Sequence, residues 1–216
     1  MRVVIAGGHG QIARLLEMLL AARGDEPVGI VRNPDHTADL EAIGASAVVL
    51  DLEKAGVKEV QRVVDGADAV VFAAGGGPGS GKERKLTVDR DAAILLADAA
   101  VAAGVRRYVM VSSMGAGTGS PDSDDVFEVY TWAKGQADEA VIARDLDVTI
   151  VRPGRLTDEE STGRVTAGTS VERGSIARAD VALVLMAVLD RQGLAGKAFE
   201  VVGGGDEIDY ALTALG

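Results

Sequence analysis

Short runs of apolar, largely β-branched residues alternate along the chain with longer stretches of helical spacing. The runs are Val3–Ala6, Val28–Val31, Ala47–Leu50, Ala69–Ala73, Tyr108–Val111, Val148–Val151 and Phe199–Val202. Most are continuous rather than alternating, the pattern of strands covered on both faces. Between and after them, helices are predicted over Ile12–Ala22, Val57–Val64, Ala92–Ala103, Val126–Arg144, Ala179–Leu189 and Tyr210–Leu215. In the first, Ile12, Leu15, Leu16, Leu19 and Leu20 share one face. Such alternation predicts an α/β fold: a doubly wound parallel sheet of about seven strands, with helices on both faces and right-handed crossovers. No internal repeat or linker interrupts the pattern, so residues 1–216 read as one domain. Aromatic residues are only 3% of the chain. The core must therefore come from Val, Leu, Ile and Ala, which suit close helix–sheet packing.

Composition narrows the function. The net charge of −11 argues against nucleic acid and against an anionic bilayer as partners. Cysteine is absent, which excludes disulfides and thiolate chemistry. The two histidines, His9 and His36, are far apart in sequence, and no metal site is expected. The apolar N-terminal run is too short for a signal peptide, and no stretch is long enough for a membrane helix. A cytoplasmic protein acting on a small-molecule substrate is expected, as monomer or homodimer.

The segment Gly7-Gly8-His9-Gly10-Gln11-Ile12-Ala13 leaves the first strand and opens the first helix. Gly7 permits the tight turn, Gly10 lets a pyrophosphate approach the backbone, and Ala13 lets the helix sit close on the sheet. The helix start offers free N–H groups to the phosphates. A plain structural turn is the competing reading of this spacing; the strand–turn–helix context favours a dinucleotide. After the second strand comes Arg32, where an NAD site usually has an acid; an arginine there suits a 2′-phosphate, so NADP(H) is expected over NAD(H). Asp51 and Leu52 follow the third strand and are placed beside adenine. Ala73, Ala74 and Gly75 follow the fourth and let the cofactor pass close. The basic cluster Lys82, Arg84 and Lys85 reads as a solvated helix start, with closure over phosphates as the alternative.

The fifth strand ends at Ser112-Ser113, and 17 residues beyond Ser113 comes Tyr130-Thr131-Trp132-Ala133-Lys134. Tyr130 and Lys134 share a helix face at i and i+4. The ammonium is expected to lower the phenol pKa, so that Tyr130 exchanges a proton with substrate while Ser113 holds the same oxygen. Lys134 would also hold the nicotinamide ribose. A surface tyrosine beside a solvated lysine is the alternative.

These residues resemble the short-chain dehydrogenase/reductase superfamily, in particular its atypical members with an NmrA-like or epimerase-like Rossmann domain. The resemblance spans nearly the whole chain and includes Asp65–Val71, Ala103–Val109 and Thr149–Thr157. It implies a Rossmann fold, an NAD(P) cofactor, Ser113, Tyr130 and Lys134 as the catalytic set, and Pro153 and Gly154 as cofactor contacts. Ser112 is placed with the cofactor residues. Extended relatives build a substrate domain after the position of Pro153. Here the polar segment 158–175 is expected to form only a flap, which implies a small or open pocket. Two functions compete: an NADP-dependent oxidoreductase, with a nucleoside-sugar epimerase as variant, and a dinucleotide sensor without turnover.

Overall fold

The computed structural model describes residues 1–77 and 79–216; Pro78, within the Gly75–Gly81 loop, lies outside the described residues. Seven parallel strands form the body of the sheet: β1 (Arg2–Ala6), β2 (Glu26–Val31), β3 (Ser46–Val49), β4 (Ala69–Phe72), β5 (Arg107–Val111), β6 (Asp147–Pro153) and β10 (Lys197–Gly203). All seven strands expected from the sequence are present. The count of about seven is nevertheless low. Two further strands, β8 (Arg164–Gly168) and β11 (Asp206–Glu207), extend one edge antiparallel and give the order β11-β8-β10-β6-β5-β4-β1-β2-β3. β8 falls inside the segment 158–175, so part of the expected flap is sheet. Its Val201↔Ala167 and Val202↔Thr166 pairs tie it to β10. A separate parallel pair joins β7 (Arg155–Thr157) to β9 (Ser175–Ala177).

Helices cover both faces, as in a Rossmann fold. On one face α1 (Gln11–Arg23) and α7 (Arg178–Leu189) bury Leu16, Leu20, Val181 and Leu185 against Ile5, Val71 and Val109. On the other, α3 (Val57–Val64), α5 (Ala92–Ala103) and α6 (Val126–Ile142) cover Val4, Val70, Tyr108 and Ile150. The alanines of α5, among them Ala93, Ala97 and Ala100, are fully buried and let that helix lie close on the sheet. The Tyr108 hydroxyl, fully buried, donates to the Ala93 carbonyl at 2.9 Å. The short helices α2 (Thr37–Glu41), α4 (Lys82–Arg84) and α8 (Ile208–Thr213) complete the set. No helix among the described residues is long and apolar enough to cross a membrane.

Two features position the site. The strand order reverses between β1 and β4, whose ends pair as Ala6↔Phe72. That opens a crevice at the carboxyl ends of the strands. Next, the chain entering α5 runs through a π-helical stretch, Lys85–Asp91, that turns Lys85, Val88 and Asp89 inward. Such widened turns are frequent at functional sites. The sequence pattern, read as a solvated helix start, gave no sign of it.

Candidate active site

The loop after β1 is shaped by glycine. Gly7 sits at φ +82°, and a Cβ there would lie 2.6 Å from Ala74 Cα. Gly8 is buried and faces away from the crevice. Its N–H donates to Ile30 O at 3.0 Å, and a Cβ would lie 2.6 Å from Gly29 Cα. Gly8 thus packs the loop on β2. Gly10 is exposed and precedes α1, which has neither a side-chain cap nor an acid in its first turn. Its leading N–H groups and positive end are left for an anion.

These glycines border a cavity of about 290 Å³. Gly7, His9 and Gly10 lie at one side, Ala73, Ala74, Gly75 and Gly76 along another, and Arg32, Asp51, Leu52 and Glu53 at the far end. Glu53 was missed in the sequence. It bridges Arg32 at 3.4 Å and Arg84 at 3.2 Å, and accepts a hydrogen bond from Thr87. Arg84, assigned above to a solvated helix start, lines the cavity instead, and its buried Nε has no partner among the described residues. The far end therefore carries two guanidinium groups against one bridging carboxylate, with Asp51 paired to Lys54 at 3.0 Å. His9 and His36 are distant in sequence but stacked in space, with ring centroids 3.6 Å apart and His9 Nε2 2.7 Å from Asp39. Among the described residues no group of three or more His, Asp or Glu is arranged to hold a metal.

A second cavity, about 590 Å³, shares Ala73, Ala74 and Gly75 with the first. Tyr130, Lys134, Asp89, Lys85, Ser112 and Ile12 line it, with Leu156 from β7 and Phe127 at α6. The i, i+4 spacing does bring Tyr130 and Lys134 into one cavity. Ser113 is not among the residues lining either cavity: its hydroxyl donates to Met114 O at 3.2 Å, although its influence reaches the Tyr130 phenol. Its loop is pinned to α6 by the 2.7 Å bond from Gly117 N–H to Thr131 O and by the close approach of Gly117 to Gly135. The other residues expected at the site lie outside both cavities. Pro153 and Gly154 end β6 against Met114 and Val201, and Gln11 reaches toward Asp158. Leu156, two residues past Gly154, lines the second cavity in their place.

The electrostatics differ from the expectation. Burial pushes the Tyr130 phenol up to about 12, partly offset by the Ser113 hydrogen bond and reinforced by Asp89 and Asp138. Lys134 does not lower it. Its ammonium is turned into the protein, donating to Val111 O at 2.9 Å, lying over the Phe72 ring and standing 3.9 Å from Asp89. Burial lowers the lysine's own pKa, while Asp89 and Asp138 support its charge. Asp89 also accepts from Gly76 N–H at 3.0 Å, which couples the lysine to the glycine-rich loop. Ser112 Oγ donates to Asp138, which Arg152 also engages at 2.9 Å; Ser112 is thus part of this support. Burial raises the Asp138 pKa, while Ser112 and Arg152 hold it down.

Together these groups fit an extended dinucleotide: a glycine cradle that side chains would fill, an uncapped helix start, an unpartnered guanidine N–H, and a neighbouring cavity containing a phenol and an ammonium. The profile of a family described as NAD(P)H-binding matches residues 7–192. This chain belongs to that family. Within it, the chain is an atypical member of the short-chain dehydrogenase/reductase superfamily. It is 37% identical to the uncharacterized sugar epimerase YhfK of Bacillus subtilis, over all of both chains. A Bacillus halodurans protein provisionally named an NAD-dependent epimerase/dehydratase matches at 39% identity, with TM-score 0.90 and 99% of each chain covered. The oxidoreductase ylbE of Lactococcus lactis matches at 26% identity and TM-score 0.87, over 100% of this chain and 96% of that one. Membership in the family makes a nicotinamide dinucleotide the cofactor.

Proposed function

We propose that this protein is an NADP-dependent oxidoreductase that reduces a small carbonyl compound. The observation that carries the reading is the junction of the two cavities at Ala73–Gly75. It lets one extended ligand lie on the glycine loop and end beside Tyr130 and Lys134. The relatives named as an epimerase and an oxidoreductase support chemistry of this kind.

When bound, the nicotinamide supplies the hydride. The chain's own residues do the rest. Backbone N–H groups around Gly7–Ile12 hold the pyrophosphate. Asp51 and Leu52 flank the adenine end, where Arg32 and Arg84 receive a 2′-phosphate at the expense of their contacts to Glu53. Lys134 holds the ribose hydroxyls while Asp89 fixes its position. Ser113 orients the substrate oxygen, and Tyr130 gives it a proton. A phenol at about 12 keeps its proton at neutral pH, so it serves as an acid rather than a base. That direction favours carbonyl reduction over an epimerisation begun by proton removal.

The test is a screen of small carbonyl compounds for NADPH oxidation, followed by Tyr130→Phe on any that react. Turnover lost in the variant with NADPH affinity kept supports the assignment. Tight NADPH binding with no turnover on any carbonyl would make the chain a dinucleotide sensor instead.

A further inference from the structure

We propose that the second cavity selects an acidic substrate, with Lys85 receiving a carboxylate or phosphate group of the compound whose carbonyl oxygen faces Tyr130. The inference rests on the reading of that cavity as the substrate site.

Lys85 is 8% exposed, lines the second cavity but not the first, and donates to Gly77 O at 2.9 Å. That bond uses one of its three N–H donors. Among the described residues no carboxylate lies within 4 Å of its Nζ. The other charges lining the cavity each have a partner of their own. Lys134 is bound to Val111 O and faces Asp89, Asp89 holds the Gly76 N–H, and Asp125 caps α6 through the Phe127 N–H. In a chain where 33 acids outnumber 22 lysines and arginines, a buried cation without an acid is an exception. A buried ammonium with spare donors is costly unless something anionic completes it. The face of the Tyr130 ring, 5.4 Å from Nζ, supports part of that charge and fixes the ammonium beside the phenol, while its spare N–H donors remain. An acid group on Lys85 would stand a few bonds from a carbonyl at the phenol, the dimensions of a short keto acid or a phosphorylated small ketone. Lys85 and Asp89 both lie in the π-helical stretch, four residues apart, and both line this cavity.

The test uses the full-length protein and matched probes: pyruvate against methyl pyruvate, acetoacetate against acetone, and dihydroxyacetone phosphate against dihydroxyacetone. Binding is read by ligand-observed NMR, with NADP⁺ present to fill the phosphate loop and again without it. At least one acid should bind about tenfold more tightly than its neutral counterpart, the scale of one charge-assisted contact. The keto-acid and phosphate arms then show which group Lys85 takes. Lys85→Met should erase the advantage and Lys85→Arg should keep it, both with NADP⁺ affinity unchanged. Equal binding of acids and neutral partners, absence of acid binding, or an advantage that survives Lys85→Met would overturn the proposal. The wild-type pairs decide the matter even if the methionine variant does not fold. NADP⁺ affinity is read separately: if it is normal and acids gain nothing, only this inference falls. If NADP⁺ does not bind, the dinucleotide reading falls, while the cofactor-free comparison still decides Lys85.

Discussion

The two cavities that meet at Ala73–Gly75 are built by opposite means. The first is made of backbone: glycines without side chains, an uncapped helix start, and strand ends in a fixed register. The second is made of buried side chains whose charges, Lys85 apart, are balanced against one another. Lys134, Asp89, Asp138 and Ser112 are each almost wholly buried, and each touches or faces another of the set. A backbone site tolerates changes in charge and fails when a side chain intrudes. A charge-balanced site tolerates little change in polarity, because removing one partner strands another. In the proposed function the same contrast separates binding from chemistry.

The sharpest way to break this division is Tyr130→Phe. The ring stays and one oxygen goes, so dinucleotide affinity should hold. Turnover should fall by roughly 10²–10⁴, the usual contribution of a positioned proton donor. Measuring kcat and NADPH affinity side by side checks both halves, and loss of affinity would mean that the cavities do not divide the work.

Gly10→Val attacks the other side. Gly10 has φ −67°, so the backbone accepts a side chain, but a Cβ there would lie 3.0 Å from Gly7 O and point into the space a pyrophosphate needs. A folded variant should bind NADPH roughly 100-fold more weakly, an estimate for a displaced phosphate contact of a few kcal/mol. Calorimetric titration reads this directly, and undiminished affinity would leave the loop a structural turn.

A smaller effect is expected at the far end of the first cavity, its one region that depends on charge. Arg32→Ala should reduce the preference for NADPH over NADH by about tenfold, one charge-assisted contact. Paired titrations with both cofactors measure it. An unchanged ratio would move the 2′-phosphate to Arg84 or remove the preference altogether.

Glu17 is the exception on the backbone side, and it bears on stability rather than on binding or turnover. Its carboxyl is fully buried beneath Gly8 and Gly29, has no hydrogen-bond partner among the described residues, and is pushed up to about 8 by burial. In the folded protein it keeps a proton that the unfolded chain loses above its ordinary value of 4.5. This contribution to stability is complete below that value and is lost as pH rises toward about 8. The slope is at most about 1.4 kcal/mol per pH unit. Glu17→Gln should flatten it, as read from denaturant midpoints at about pH 5 and about pH 9. An unchanged pH dependence would mean that the carboxyl is solvated.

The same contrast explains what could be read in the sequence. All seven parallel strands and the glycine loop were legible, because continuous apolar runs and glycine spacing report backbone geometry directly. Tyr130 and Lys134 were legible as a pair, because helical spacing sets which side chains share a face. Their electrostatics were not, because Lys134 turns toward Val111 O and Asp89, and burial rather than the ammonium sets the phenol. Arg84, Lys85 and Asp89 were misplaced or missed, since they are charged residues in a polar run whose inward face is marked by only one apolar residue, Val88. Strands β7, β8, β9 and β11 are too short or too polar to stand out from loop.

The central claim is that one dinucleotide spans both cavities. It is tested most directly by comparing NADPH with its adenosine half, 2′,5′-ADP, on wild type and on Lys134→Met. The account predicts that the variant binds 2′,5′-ADP as wild type does, which also certifies its fold, and binds NADPH about tenfold more weakly, for one lost charge-assisted contact. Unaltered NADPH affinity in a variant that still binds 2′,5′-ADP would show that the dinucleotide does not reach Lys134, and would contradict the account.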